Sequence, residues 1–270
     1  MKGIIFILLG SLLVVSCSSN QKQSASEKRA TLYYSHGTEK LVQQDYTEAL
    51  KNLIEADKLK PNDSKILNNL AMSYYFKDRA DKAIQLLNQS LEIDSKNSDA
   101  RNNLASIYFQ RGQLDLAEKE YKKILNNLLY KNNFRVYYNL GLIQKKKNNL
   151  NSAISYFEKA SGVRIDYCAS NYQLALTYRE LKNYKKSLEW FKQATREKCG
   201  KNPTPFYEWG NTLSELGQNA KAMEIFKQVT LNFPESKLSF KAEKKIRLLS
   251  KKEVLTNNLD RIESDNSQDF

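Results

Sequence analysis

Few residues of this chain could carry reactive or ligating chemistry: three cysteines, Cys17, Cys168 and Cys199, and one histidine, His36. A metal site needs a cluster of such ligands, and His36 has no second histidine or cysteine near it. A nucleophilic cysteine needs a base within hydrogen-bond reach, and no histidine lies close to Cys199. There is no His-Glu-x-x-His pattern and no glycine-rich phosphate loop, with only nine glycines in 270 residues. The carboxylates fall mostly in turns or at solvent positions. The expectation is a protein that is not an enzyme and takes no cofactor and no metal. Cys17 is different, because an apolar run at 4–15 leads to it after Lys2. Twelve residues are too few to span a bilayer, which takes about 20, but they suit the hydrophobic region of a signal peptide.

The end of that run, Leu13-Val14-Val15-Ser16-Cys17, resembles the bacterial lipobox. The resemblance implies cleavage after a signal peptide at 1–16 and lipidation of Cys17. The cysteine would carry a thioether-linked diacylglycerol and an amide-linked acyl chain. One chain holds a protein to a membrane marginally and two hold it stably, at about 0.8 kcal/mol per buried CH2. Ser18 stands where aspartate would signal inner-membrane retention in such lipoproteins, so the implied address is the periplasmic face of the outer membrane. The alternative is an ordinary secretory signal with a chance cysteine. Residues 17–29 are polar and without periodicity, and are expected to form a flexible tether.

Beyond the tether a pattern returns every 34 residues. Ala49, Ala83, Ala117 and Ala153 are spaced by 34, 34 and 36. The pairs Leu70-Ala71, Leu104-Ala105, Leu140-Gly141, Leu174-Ala175 and Trp209-Gly210 are spaced by 34, 36, 34 and 35. A period in this range means stacked helical units, each unable to bury its apolar face alone. Six units follow at 30–63, 64–97, 98–131, 134–167, 168–201 and 203–236, each two helices around a polar turn. The eighth position (Gly37, Ala71, Ala105, Gly141, Ala175, Gly210) is small where the two helices cross. The twentieth (Ala49, Ala83, Ala117, Ala153, Ser187, Ala222) is small for the reciprocal reason, and the twenty-fourth (Leu53, Leu87, Tyr121, Phe157, Phe191, Phe226) fills the space between units. Pro61 and Pro234 end second helices.

This frame resembles the tetratricopeptide repeat family, with Tyr74, Tyr108 and Tyr178 at its tyrosine position and Ala56, Ala160 and Ala194 at its third alanine. The resemblance implies an all-α fold, a right-handed superhelix of six helix pairs. Leu238, Ala242, Ile246 and Leu249 form one more apolar stripe, with Lys241, Lys244, Lys245 and Arg247 on the other side. That fits a C-terminal capping helix, completing a repeat domain at 30–252. Residues 253–270 turn polar and acidic and are expected to be a disordered tail.

In this frame Cys168 opens repeat five and Cys199 follows its second helix, 31 residues later. Those two ends meet in an antiparallel helix pair. An oxidising periplasm would permit a disulfide across the repeat, and two free, packed thiols are the alternative.

Stacked repeats expose the inner faces of their first helices as a groove. Its fifth positions are Tyr34, Asn68, Asn102, Tyr138, Tyr172 and Tyr207. The ninth include Met72, Leu142 and Leu176, and the twelfth are Tyr75, Phe109, Lys145 and Arg179. Such a surface, half aromatic and aliphatic with paired asparagines, suits a helix or extended segment of another protein. Some of these rings could instead pack against adjacent helices. The net charge is +13, with lysines clustered at 145–147, 182–186 and 241–252. Two accounts stand: solvated helix faces, or attraction to anionic headgroups or an acidic partner. No nucleic acid is expected.

The layout as a whole resembles the type IV pilus pilotin lipoproteins. The resemblance is sharpest where Leu129-Tyr130-Lys131 leads through Phe134-Arg135-Val136 into Asn139-Leu140-Gly141-Leu142, at the 36-residue gap. Lys131 stands where proline is usual and Ile143 where cysteine is common. The implied role is escorting secretin subunits to the outer membrane and helping them form a ring. A scaffold for outer-membrane protein assembly or for cell-wall remodelling enzymes is the alternative.

Overall fold

The structure, a computed structural model, describes the backbone of residues 13–266 and the side chains of residues 25–252. Among the described residues there are thirteen α-helices, one 3-10 turn and no strand. The fold is therefore all-α. The chain divides into two compact units, one ending at Lys131 and the other starting at Asn132.

Unit 1 holds α1 (Leu13–Val42), α2 (Tyr46–Leu59), α3 (Ser64–Phe76), α4 (Ala80–Ile93), α5 (Ser98–Gln110) and α6 (Leu114–Ile124). Unit 2 holds α7 (Asn133–Lys146), α8 (Leu150–Val163), α9 (Cys168–Glu180), α10 (Tyr184–Ala194), the 3-10 turn Glu197–Lys201, α11 (Pro203–Glu215), α12 (Asn219–Asn232) and α13 (Lys237–Asn266). Consecutive helices pair as the repeat requires. Side-chain caps start several of them: Asp63 accepts from the Lys65 and Ile66 amides at 3.0 and 3.2 Å, and Asn97 accepts from the Ala100 amide at 3.0 Å. Each satisfies donors that the first helical turn leaves without a partner.

The small and large marker positions interlock. Ala49, Ala83, Ala117, Ala153, Ser187 and Ala222 are fully enclosed, and so are Leu53, Leu87, Phe157, Phe191 and Phe226. Where serine replaces alanine, the Ser187 hydroxyl donates to the Ala175 carbonyl at 2.8 Å, which satisfies it inside the crossing. Glycine is required at two crossings of unit 2. A Cβ on Gly141 would stand 2.5 Å from the Phe157 ring, and one on Gly210 would stand 2.6 Å from that of Phe226.

Each turn between the helices of a repeat places one residue in the left-handed region: Gln44, Asp78, Gly112, Asn148, Lys182 and Gly217, with φ between 57 and 75°. Only two are glycine, and asparagine and aspartate tolerate this region better than other side chains. Gln44 is exposed and has neither advantage. Gln44→Gly is therefore expected to raise the stability of unit 1 by about 0.5–1 kcal/mol. A urea midpoint unchanged or lowered by this substitution would count against left-handed strain at the turn.

α13 packs on α12 through Leu238, Ala242, Ile246 and Leu249, alongside Phe226 and Val229, and so covers repeat six. Residues 18–28 belong to α1 and residues 253–266 to α13, where the sequence reading expects a tether and an unstructured tail. Neither stretch contains a proline, and Leu248, Leu255, Leu259 and Ile262 continue a helical spacing. From Ser26 onward α1 is docked, since the Ser26 hydroxyl donates to the Leu59 carbonyl at 3.2 Å and Ala30 is fully buried. The apolar run at 4–12 lies outside the described residues, as does the Cys17 side chain. No helix among the described residues is long and apolar enough to cross a membrane.

Candidate partner-binding groove

In unit 2 the first helices α7, α9 and α11 present a repeated pair of rings. Tyr138 leans on Phe157, Tyr172 on Phe191 and Tyr207 on Phe226, with centroids 5.8, 6.3 and 5.5 Å apart. The interplanar angles are 49, 55 and 53°. A phenylalanine from the second helix thus fixes the tilt of each tyrosine, which stays half-buried. Burial pushes all three phenols up from their ordinary value, and for Tyr172 and Tyr207 the Glu208 carboxylate adds to the rise. They therefore stay protonated and able to donate at neutral pH. Leu142 and Leu176, also half-buried, stand one turn on.

The charged end of this groove is ordered. Arg179 donates to Glu208 at 2.9 Å and to the Thr212 hydroxyl at 3.3 Å, while Lys145 pairs with Glu180 at 3.4 Å. An open cavity of about 400 Å³ lies against Arg179, Tyr207, Asn211, Glu215 and Lys245. A second, of about 360 Å³, takes in Lys145, Leu176, Arg179 and Tyr184. Both are lined by Arg179 and Glu215. The Asn211 side-chain oxygen is buried without a hydrogen-bond partner among the described residues. A donor from a bound segment would satisfy it.

Glu208 and Glu215 are not among the groove positions read from the sequence. Lys245 is a correction: it is half-buried and lines the first cavity rather than the outward side of α13. Adjacent positions such as 244 and 245 lie about 100° apart on a helix, so a one-residue error in phase moves a side chain from one face to the next. Glu208 lies 29 residues after Arg179, at the sixth position of the next repeat's first helix, which the groove positions read from the sequence did not include.

In unit 1, Met72, Tyr75, Asn102 and Phe109 are half-buried on α3 and α5. Asn68 is withdrawn from the groove. It is 8% exposed, donates to the Asn69 side-chain oxygen at 2.9 Å and accepts from the Asn103 amide at 2.9 Å. Asn69 in turn donates to the Thr38 hydroxyl at 2.8 Å. This line of side chains ties α1, α3 and α5 together laterally. The Asn102 side-chain oxygen is buried without a partner among the described residues. Cys168 and Cys199 are joined by a disulfide, with Cα atoms 5.3 Å apart.

Comparison with known proteins follows the same frame. Tetratricopeptide repeats are matched at residues 41–95 and 77–128, 134–164 and 169–198, and 206–236. The chain belongs to the tetratricopeptide repeat family. Among curated relatives, Photosystem I assembly protein Ycf3 of Rippkaea orientalis is 33% identical over 111 residues, 40% of this chain. The match spans 62% of that protein's length. Among solved tetratricopeptide structures, PilF of Pseudomonas aeruginosa superposes with a TM-score of 0.69 at 18% identity, covering 81% of this chain and 99% of that one. PilW, a widely conserved type IV pilus biogenesis factor, gives 0.68 at 19% identity over 77% of this chain and 96% of its own. At these identities the likeness is one of fold. It agrees with the repeat architecture that the family match assigns.

Proposed function

We propose that this chain is an outer-membrane lipoprotein, held through Cys17 with its repeats in the periplasm, that assists type IV pilus biogenesis. It binds a client protein in the tyrosine-lined groove of unit 2 and promotes secretin localisation and multimerisation. It performs no catalysis. The observation that carries the reading is the ladder Tyr138, Tyr172 and Tyr207, each braced by a phenylalanine and ending at Arg179 and Glu208. Rigid aromatics beside an arginine are the residues that dominate binding energy at protein interfaces. The likeness of fold to nearly the whole of PilW, a type IV pilus biogenesis factor, supports the pilus assignment. The match to a photosystem assembly protein favours a second reading, a scaffold for assembling other envelope complexes.

Tyr172→Ala combined with Arg179→Glu is expected to weaken capture of the secretin about thirtyfold, the effect of losing about 2 kcal/mol at a hot spot. It should also reduce secretin multimers in cells. A deletion strain with normal secretin multimers but altered porin levels or cell wall would overturn the pilus reading and leave the scaffold reading standing.

A further inference from the structure

The connection between α8 and α9 carries a charged cluster that adjoins the groove at one point, where the Tyr167 ring meets that of Tyr138 edge-on at 5.3 Å. Arg135 of α7 and Arg164 at the end of α8 both lie over the Phe134 ring, at 5.7 and 4.7 Å. Tyr167 stands edge-on to the same ring at 4.9 Å. Burial pushes the Tyr167 phenol up, and the positive fields of Arg135 and Arg164 pull against that rise. Arg164 also reaches Asp166 at 3.4 Å, and Asp166 takes Lys198 at 3.3 Å.

The disulfide between Cys168 and Cys199 holds the 3-10 turn, with Lys198 and Lys201, beside this loop. Arg196 precedes that turn. The five cations Arg135, Arg164, Arg196, Lys198 and Lys201 outnumber the two carboxylates Asp166 and Glu197. At the end of α8 and on the loop that follows, Val163 and Ile165 are exposed by 56 and 84%.

We propose that this disulfide-held edge of unit 2 docks on an anionic phospholipid bilayer. Arg135 and Arg164 take a lipid phosphate, and Val163 and Ile165 enter the boundary between headgroups and acyl chains. The residue types select the occupant. Anchors at protein interfaces are mostly aromatic or arginine side chains filling pockets. Here two aliphatic side chains project from a helix end and the loop that follows amid an excess of cations, which matches an interface of anionic headgroups over acyl chains. Arginine presents a planar fork to phosphate oxygens. Each cation close to such a surface strengthens attachment roughly fivefold.

The test uses the full chain held on vesicles by its own N-terminal segment. The vesicles are phosphatidylcholine alone, or phosphatidylcholine and phosphatidylglycerol in equal parts. Hydrogen–deuterium exchange of the α8–α9 loop and the 3-10 turn is the readout. Phosphatidylglycerol is expected to slow exchange there by about tenfold or more. Arg135→Gln with Arg164→Gln should weaken docking roughly twenty-five-fold and return exchange to the phosphatidylcholine rate. Ile165→Asp should do the same with helix content and melting temperature unchanged. Equal exchange on both lipids overturns the proposal, as does protection that survives either variant. An acidic soluble protein that protects the loop where phosphatidylglycerol does not also overturns it. The groove has no part in this readout, so the client-binding reading stands or falls separately.

Discussion

Phe157→Ala is expected to destabilise unit 2 by about 3–5 kcal/mol, the range for deleting an enclosed aromatic ring. Phe157 is fully buried, and its ring occupies the space that the missing side chain of Gly141 leaves open. It also supports Tyr138 in the groove, at 5.8 Å. The pairing makes a second, sharper expectation. Gly141→Ala alone puts a methyl 2.5 Å from the ring, an overpacking worth about 1–3 kcal/mol against a gain in helix propensity of about 1 kcal/mol. Once Phe157 is alanine the clash is gone, and Gly141→Ala should become stabilising. The two changes therefore couple by about 1–3 kcal/mol. Urea unfolding followed by tryptophan fluorescence measures this directly, because Trp190 and Trp209, the chain's two tryptophans, both belong to unit 2. Additive effects would mean that the close approach of helix and ring does not constrain this crossing.

The same crossing explains how much of the core is legible in the sequence. Ala83, Gly141 and Phe157 recur at fixed spacing because each repeat solves one packing problem in one way, so a period in the sequence is a period in the core. The groove tyrosines were readable for the same reason. What escaped is lateral. Asn68 reads as a groove residue by its position, yet its hydrogen bonds run to Asn69 and Asn103, in its own and the next repeat. A helical period states which face a residue occupies, not whether its polar atoms are already satisfied. Lys245 escaped for a different reason, since α13 lies beyond the repeat frame and only helical phase was left to place it. In 18–28 and 253–266 polarity suggested disorder, but a polar composition without proline does not prevent a helix.

Loss of the disulfide should be the other large effect. Cys168 is the first residue of α9 and Cys199 lies in the 3-10 turn after α10, so the bridge closes a 31-residue loop around one whole repeat. Constraining the unfolded chain over that length is worth about 3–4 kcal/mol in the loop-closure account. Cys168→Ser with Cys199→Ser, or a phosphine reductant on the native protein, is therefore expected to lower the stability of unit 2 by about that amount. Unit 1, whose described residues include neither cysteine, should keep its midpoint. The repeat should still fold, because Leu174, Ala175, Phe191 and Ala194 are fully buried side chains that the bridge does not itself cross-link. Lys198 should lose its fixed approach to Asp166, now 3.3 Å, and the loop carrying Ile165 should exchange its amides faster. A reduced protein that unfolds at the native urea concentration would mean that packing alone holds α9 against α10. The cross-link would then contribute nothing to holding that edge in place.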